Sequence, residues 1–138
     1  MSEIKVLSTN GVASLLRELA PQFERATGHT LAVTWGPTNG LRKQIDQGAA
    51  FDVAILTAEV TDDLIKQGKI AGARSDIAKS GVGVGIRAGA RKPDISTVEA
   101  FKRTLLDAKS VAYSAQGMSG VYFASLLRSS GSVTDRGV

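Results

Sequence analysis

A chain of 138 residues, 43% hydrophobic and 22% charged, fits one ordinary globular unit with a real core and excludes a disordered tail. It has no cysteine, which rules out disulfide staples, thiolate metal sites and cysteine nucleophiles. The net charge of +4 is regional: residues 66–109 hold ten Lys/Arg against four Asp/Glu, spaced singly or in pairs, so the clustered stripe that tracks phosphates is missing and nucleic acid is not an expected partner.

Met1-Ser2-Glu3-Ile4 leads straight into a strand-like run without a charged n-region or apolar h-region, so a signal peptide is absent or was removed. No run approaches the roughly 18 apolar residues of a membrane span. Ile4 to Leu7 reads as a strand, Ser8-Thr9-Asn10-Gly11 as its exit loop, and Val12, Leu15, Leu16, Leu19 and Phe23 as a helix face. Pro21 is expected to bend or restart that helix and Gly28 to stop it. Leu31 to Trp35 suits a strand, and Gly36-Pro37-Thr38-Asn39-Gly40 breaks it before Leu41, Gln44 and Ile45 begin a helix. A third round follows: strand Phe51 to Leu56, turn Thr57-Ala58-Glu59, helix Val60 to Gln67, stop at Gly68. Three strand–helix units predict an α/β fold with a parallel sheet in layers.

Gly81 to Arg87 alternates glycine with Val82, Val84 and Ile86 and reads as a strand connecting two lobes, 1–80 and 81–138. Ser96 and Glu99 form a capping-box pattern ahead of Val98, Phe101 and Leu105. Ser110 to Tyr113 reads as a strand, Ser114 to Gly120 as a hydroxyl- and glycine-rich loop, Val121 to Leu127 as a helix, and Ser129 to Val138 as a frayed end.

Loops that leave parallel strands gather at the carboxyl edge of a sheet, and helices that begin there aim free N–H groups and positive dipole ends into one crevice. Such a crevice holds small anions. Ser8, Thr9, Asn10, Thr38, Asn39, Ser114 and Ser119 can add donors, while Gly11, Gly40 and Gly120 allow close approach to the backbone. The competing reading is that each loop is only a helix N-cap, since Ser, Thr and Asn favour that place anywhere. Repetition of one loop composition after successive strands favours a ligand site. Gly81-Val82-Gly83-Val84-Gly85 lacks dinucleotide spacing, no Walker lysine is present, and Gly117-Met118-Ser119-Gly120-Val121 misses a nucleophile elbow at its last position. His29 reads as a surface turn residue. Glu59, Asp62 and Asp63, with no histidine partner, read as solvated rather than as metal ligands. No cofactor or metal is expected.

The strand Ile4 to Leu7, the Ser8 to Gly11 loop, Leu41-Arg42-Lys43-Gln44-Ile45-Asp46-Gln47-Gly48-Ala49, Phe51-Asp52-Val53 and Ser119-Gly120-Val121-Tyr122 together resemble the molybdate-type periplasmic substrate-binding proteins of ABC transporters. The resemblance runs from about Ile4 to Leu127 and implies a type II periplasmic-binding-protein fold with an incomplete second lobe. It further implies a non-enzymatic protein that binds molybdate, tungstate or sulfate and delivers it to a permease and ATPase. The location would then be periplasmic, or cytoplasmic if no signal was removed. By position, the family's two oxyanion-contacting serines fall at Gly11 and Thr38, and its later backbone contact at Ser119. Ligand-binding candidates are therefore Ser8, Thr9, Asn10, Gly11, Thr38, Asn39, Ser119 and Gly120. Gly11 supplies only an N–H, and both triplets, Ser8-Thr9-Asn10 and Pro37-Thr38-Asn39, are bulkier than the usual loops. Family members also continue well past this length, which predicts a homodimer or domain swap. Two alternatives stay open: a small organic carboxylate as ligand, and a non-binding structural fragment.

Overall fold

A computed structural model describes residues 1–129, so all of the expected frayed end beyond Ser129 lies outside the described residues. The chain divides into two compact units: Met1–Ser80 with Gln116–Met118, and Gly81–Ala115 with Ser119 onwards.

In the first unit, β1 (Glu3–Thr9), β2 (Thr30–Gly36) and β3 (Val53–Ile55) form a parallel sheet in the order β2-β1-β3. The three strands alternate with α1 (Ala13–Thr27), α2 (Thr38–Asp46) and α3 (Ala58–Lys66). Parallel neighbours need such crossovers. The expected α/β class with a parallel sheet is what forms. β1 is the central strand, and Val6, Leu7 and Ser8 are all buried, because successive side chains point to opposite faces and helices cover both. On one face Leu7 packs with Leu41 and Ile45 of α2 and with Val60 and Leu64 of α3. Trp35, whose register partner is Ser8, lies under the Arg17 guanidinium of α1 at 5.7 Å, so α1 sits on the opposite face.

Element boundaries differ from the sequence expectation at several places. Asn10–Val12 forms a short 3-10 turn ahead of α1 rather than an open loop. α1 continues through Pro21 to Thr27 instead of restarting there. It ends at Gly28, whose φ of 74° is the left-handed stop expected of it and whose N–H reaches the Glu24 carbonyl at 2.9 Å. α2 begins at Thr38, three residues before Leu41, and α3 at Ala58, two before Val60. Apolar periodicity marks where a helix starts to bury side chains, whereas the backbone turns helical up to a turn earlier. β3 keeps only Val53–Ile55 of the expected Phe51 to Leu56.

The second unit carries α4 (Val98–Asp107) and α5 (Met118–Ser129). The two strands expected at Gly81 to Arg87 and Ser110 to Tyr113 do not form. Strand propensity is realised only through pairing. The sheet of the described residues is confined to β1, β2 and β3, and glycine at alternate positions gives 81–87 little to pack. Thr97, not Ser96, caps α4, accepting the Ala100 N–H at 3.1 Å. Ser96 is engaged by Asp94, which it bonds through both hydroxyl and N–H. Tyr113 meets Phe123 of α5 edge-on, with centroids 5.2 Å apart.

Candidate functional site

Registry fixes what the carboxyl edge of the sheet presents. Thr9 pairs with Gly36 across β1 and β2, and Ser8 with Ile55 across β1 and β3. Beyond these pairings the chain leaves the sheet: Asn10 and Gly11 enter the 3-10 turn after β1, Thr38 opens α2 after β2, and Thr57 precedes α3 after β3. These four residues therefore all follow the carboxyl ends of the strands, at one edge of the sheet. α2 and α3 begin on it, with Pro37 and Thr57 as their N-caps. Strand order reverses around β1, which places the switch point of this doubly wound arrangement at the edge where ligands of open α/β sheets bind.

The expected residues take different parts in this edge. Ser8 is fully buried and its hydroxyl donates to the Thr9 carbonyl at 3.2 Å, so it is spent on local structure. Thr9 closes β1, and Asn10 and Gly11 lie exposed in the 3-10 turn. Thr38, the first residue of α2, is 1% exposed, and its Oγ1 has no hydrogen-bond partner. Asn39 follows it, exposed. A buried hydroxyl without a partner costs about 1–3 kcal/mol relative to a satisfied one, and a residue that only capped its helix would not carry that cost. Thr97 shows the contrast, since its hydroxyl is bonded to an N–H of the helix it begins.

Sequence reasoning missed Thr57, which it took as a turn residue. The Thr57 carbonyl accepts from the Thr61 N–H at 3.0 Å and the Thr61 hydroxyl at 2.9 Å, but its own Oγ1 is buried and without a partner. A signal was available: it is a hydroxyl residue at the strand-to-helix junction of the third repeat, the place Thr38 holds in the second.

Ser119 and Gly120 belong to the second unit. Both lie in the first turn of α5 rather than in a loop before it, Ser119 exposed and Gly120 buried. A Cβ at Gly120 would collide with the Ser114 carbonyl, so a tight backbone approach, rather than ligand access, accounts for glycine there. Six of the eight expected residues thus gather at one edge of the first unit.

The charged groups lie elsewhere. Asp62 and Asp63, expected to be solvated, are each engaged by an arginine: Arg74 to Asp62 at 2.9 Å, and Arg42 to Asp63. Lys69 binds Asp46, and this hydrogen bond holds the Asp46 carboxyl below the ordinary aspartate range. The two hydrogen bonds from Ser96, aided by the charge of Arg103, do the same for Asp94. His29 is half-buried and its Nδ1 accepts the Ser2 N–H at 3.2 Å. Among the described residues no cluster of His, Cys, Asp or Glu could hold a metal ion. An open depression of about 660 Å³ lies at the opposite, amino edge of the sheet, beside Glu3, Lys5, Asp52 and Lys69. Another of about 510 Å³ lies in the second unit beside Arg91, Lys92, Asp94 and Arg103. Neither has a buried polar atom left unbonded, and the carboxyl edge has two.

A family model described as bacterial extracellular solute-binding protein matches residues 4–137. The chain belongs to this family. The expected resemblance is borne out, and the α/β fold with its parallel sheet accords with it. Among curated proteins it is 36% identical over 133 residues to an aconitate isomerase of Pseudomonas sp., a match covering 92% of this chain and 50% of the relative. It is 32% identical over 75 residues to the molybdate-binding protein ModA of Azotobacter vinelandii, covering 53% of this chain and 30% of that one. The chain thus spans half or less of the length of these relatives. Among solved structures it is similar to the periplasmic molybdate-binding protein of Azotobacter vinelandii, with a TM-score of 0.45, 29% identity and coverage of 47% and 29% of the two chains. It is also similar to the substrate-binding domain of a molybdenum ABC transporter protein from Clostridium difficile, with a TM-score of 0.46, 17% identity and coverage of 49% and 30%.

Proposed function

We propose that this solute-binding protein holds a small anion at the carboxyl edge of its β2-β1-β3 sheet and serves uptake through the permease of an ABC transporter in the periplasm. The observation that carries the reading is the Thr38 hydroxyl, 1% exposed and without a partner at the first residue of α2. Helix N-termini and neutral donors together hold an anion without a buried counter-charge.

An organic polycarboxylate is the anion class we place first. By the resemblance, Gly11 falls where the molybdate-type family has a contacting serine, which would leave a tetrahedral oxyanion shell one hydroxyl short. The relative matched over 92% of the chain is named for aconitate. Exposed Asn10 and Asn39 add amide donors suited to carboxylate oxygens. A molybdate-like oxyanion is the second reading, supported by the ModA relative.

Binding without turnover is part of the proposal. Isomerising an unsaturated acid needs a group that accepts and returns a proton, and the three strand exits, 8–12, 36–40 and 56–59, hold one titratable side chain, that of Glu59. Conversion of cis- to trans-aconitate by this chain, abolished in Glu59→Gln, would overturn that part.

Thermal unfolding with citrate, cis-aconitate, molybdate, tungstate and sulfate tests the whole. A ligand at about 100 times its dissociation constant adds roughly 2.7 kcal/mol. A shift with the polycarboxylates supports the first reading, a shift with molybdate or tungstate alone supports the second, and no shift with any of them removes the binding function.

A further inference from the structure

We propose that the exposed face of α1 is a self-association surface, on which a second copy of this chain lays its own α1 antiparallel, with Leu19 and Phe23 meeting at the centre and Glu18 pairing with the partner's Arg25. α1 divides lengthwise into two faces. Leu16, Ala20 and Glu24 are half-buried on the side turned to the sheet, where the Glu24 carboxylate accepts the Leu31 N–H at 2.8 Å. Leu15, Leu19 and Phe23 recur one turn apart on the other side and are exposed. Side chains four residues apart form a ridge that packs into the grooves of another helix, and covering it removes apolar surface from water.

The charges beside the ridge select what covers it. Glu18 and Arg25 stand two turns apart on one flank of α1, next to Leu15 and Gln22, and both are exposed. Neither forms an ion pair with another described residue, whereas Arg42, Lys69 and Arg74 each hold a carboxylate. In an antiparallel pair related by a two-fold axis, the same flank of each helix faces its counterpart in reverse order. A centre between Pro21 and Gln22 then brings Glu18 level with the partner's Arg25, and Arg25 level with the partner's Glu18. The same centre sets Leu19 within one residue rise, about 1.5 Å, of the partner's Phe23.

One register thus serves the apolar ridge and both charges. A parallel pairing sets this flank against the opposite one, where Ala20 and Thr27 carry no charge. A flank that is complementary to its own reverse fits a second copy of the chain, which an unrelated partner does not require. A single helix pair lies at the low end of specific interfaces, about 1,200 Å² or less, which implies a reversible dimer.

Sedimentation velocity of the 138-residue chain over a dilution series tests the surface on wild type, Leu19→Asp, Glu18→Arg, Arg25→Glu and the double variant Glu18→Arg/Arg25→Glu. Wild type is expected to pass from dimer to monomer on dilution. Leu19→Asp, at a position exposed in the single chain, should keep its circular dichroism and stay monomeric. Each single charge variant brings like charges together at two symmetric places and should raise the dissociation constant about tenfold. The double variant exchanges the charges and should return to within about threefold of wild type. Wild type that stays monomeric would overturn the surface, as would a dimer that Leu19→Asp leaves unchanged. Single charge variants without effect, or a double variant without recovery, would overturn the antiparallel pairing. A Leu19→Asp chain that fails to fold would make this face part of the fold itself and overturn the proposal as well.

Discussion

Thr97 and Thr57 both begin helices from extended backbone, and they use the same hydroxyl in opposite ways. Thr97 satisfies the Ala100 N–H, whereas Thr57 leaves its oxygen buried and unbonded. The sequence does not separate these cases, because both read as a polar residue ahead of an apolar run. What separates them is whether the hydroxyl reaches an N–H of the helix it begins, which only the folded chain decides. The eight residues proposed from sequence therefore included Thr38 and omitted Thr57, and included Ser8, which the fold uses internally. At the same scale, Asp46 offers a test of the surface electrostatics. Its carboxyl is held below the ordinary aspartate range chiefly by the hydrogen bond from Lys69. A group with a lowered folded pKa stabilises the fold above its unfolded value and loses that contribution as pH falls through the folded one. Carboxyl NMR titration is expected to show Asp46 rising toward the ordinary aspartate value in Lys69→Ala. An unchanged midpoint would show that the ion pair does not persist in solution.

At the level of elements, the strands and helices that carry their own burial pattern were legible, and those that depend on a distant partner were not. β1, β2, α1, α2 and α3 lie close to where periodicity puts them. The runs at 81–87 and 110–113 have strand-forming residues but no place in the sheet of the described residues. Boundaries were less legible, since Thr38, Asn39, Ser119 and Gly120 are polar or small yet helical. α2 is held chiefly by Leu41, fully buried and close enough to Gly36 that a Cβ there would meet its Cδ2 at 3.3 Å. Leu41→Ala should cost about 2–5 kcal/mol, read from the denaturant midpoint at constant slope. Because α2 starts at Thr38, the same substitution should also weaken any anion held there. If stability falls while affinity stays, α2 does not position the site.

Across the whole molecule, apolar surface exceeds what the described helices cover. Leu15, Leu19 and Phe23 line one stripe of α1 and are 46%, 44% and 39% exposed, and Val82, Val84, Ile86, Val121 and Tyr122 are exposed in the second unit. Exposed apolar side chains in such number are ordinarily covered by further chain or between copies. Light scattering over a dilution series is expected to show association that weakens at low concentration. A monomer throughout would count against self-completion. The order of the sheet has a further consequence for assembly. Of the three strands of this sheet, the one made first is the innermost, and it waits for neighbours encoded far downstream: Val6 pairs with Val33 and with Val53. Closing such distant pairings is slow. During synthesis the partners of Leu7 on α2 and α3 emerge later than Leu7 itself, and the chain's vulnerability to proteases and to sticking should be high in that interval.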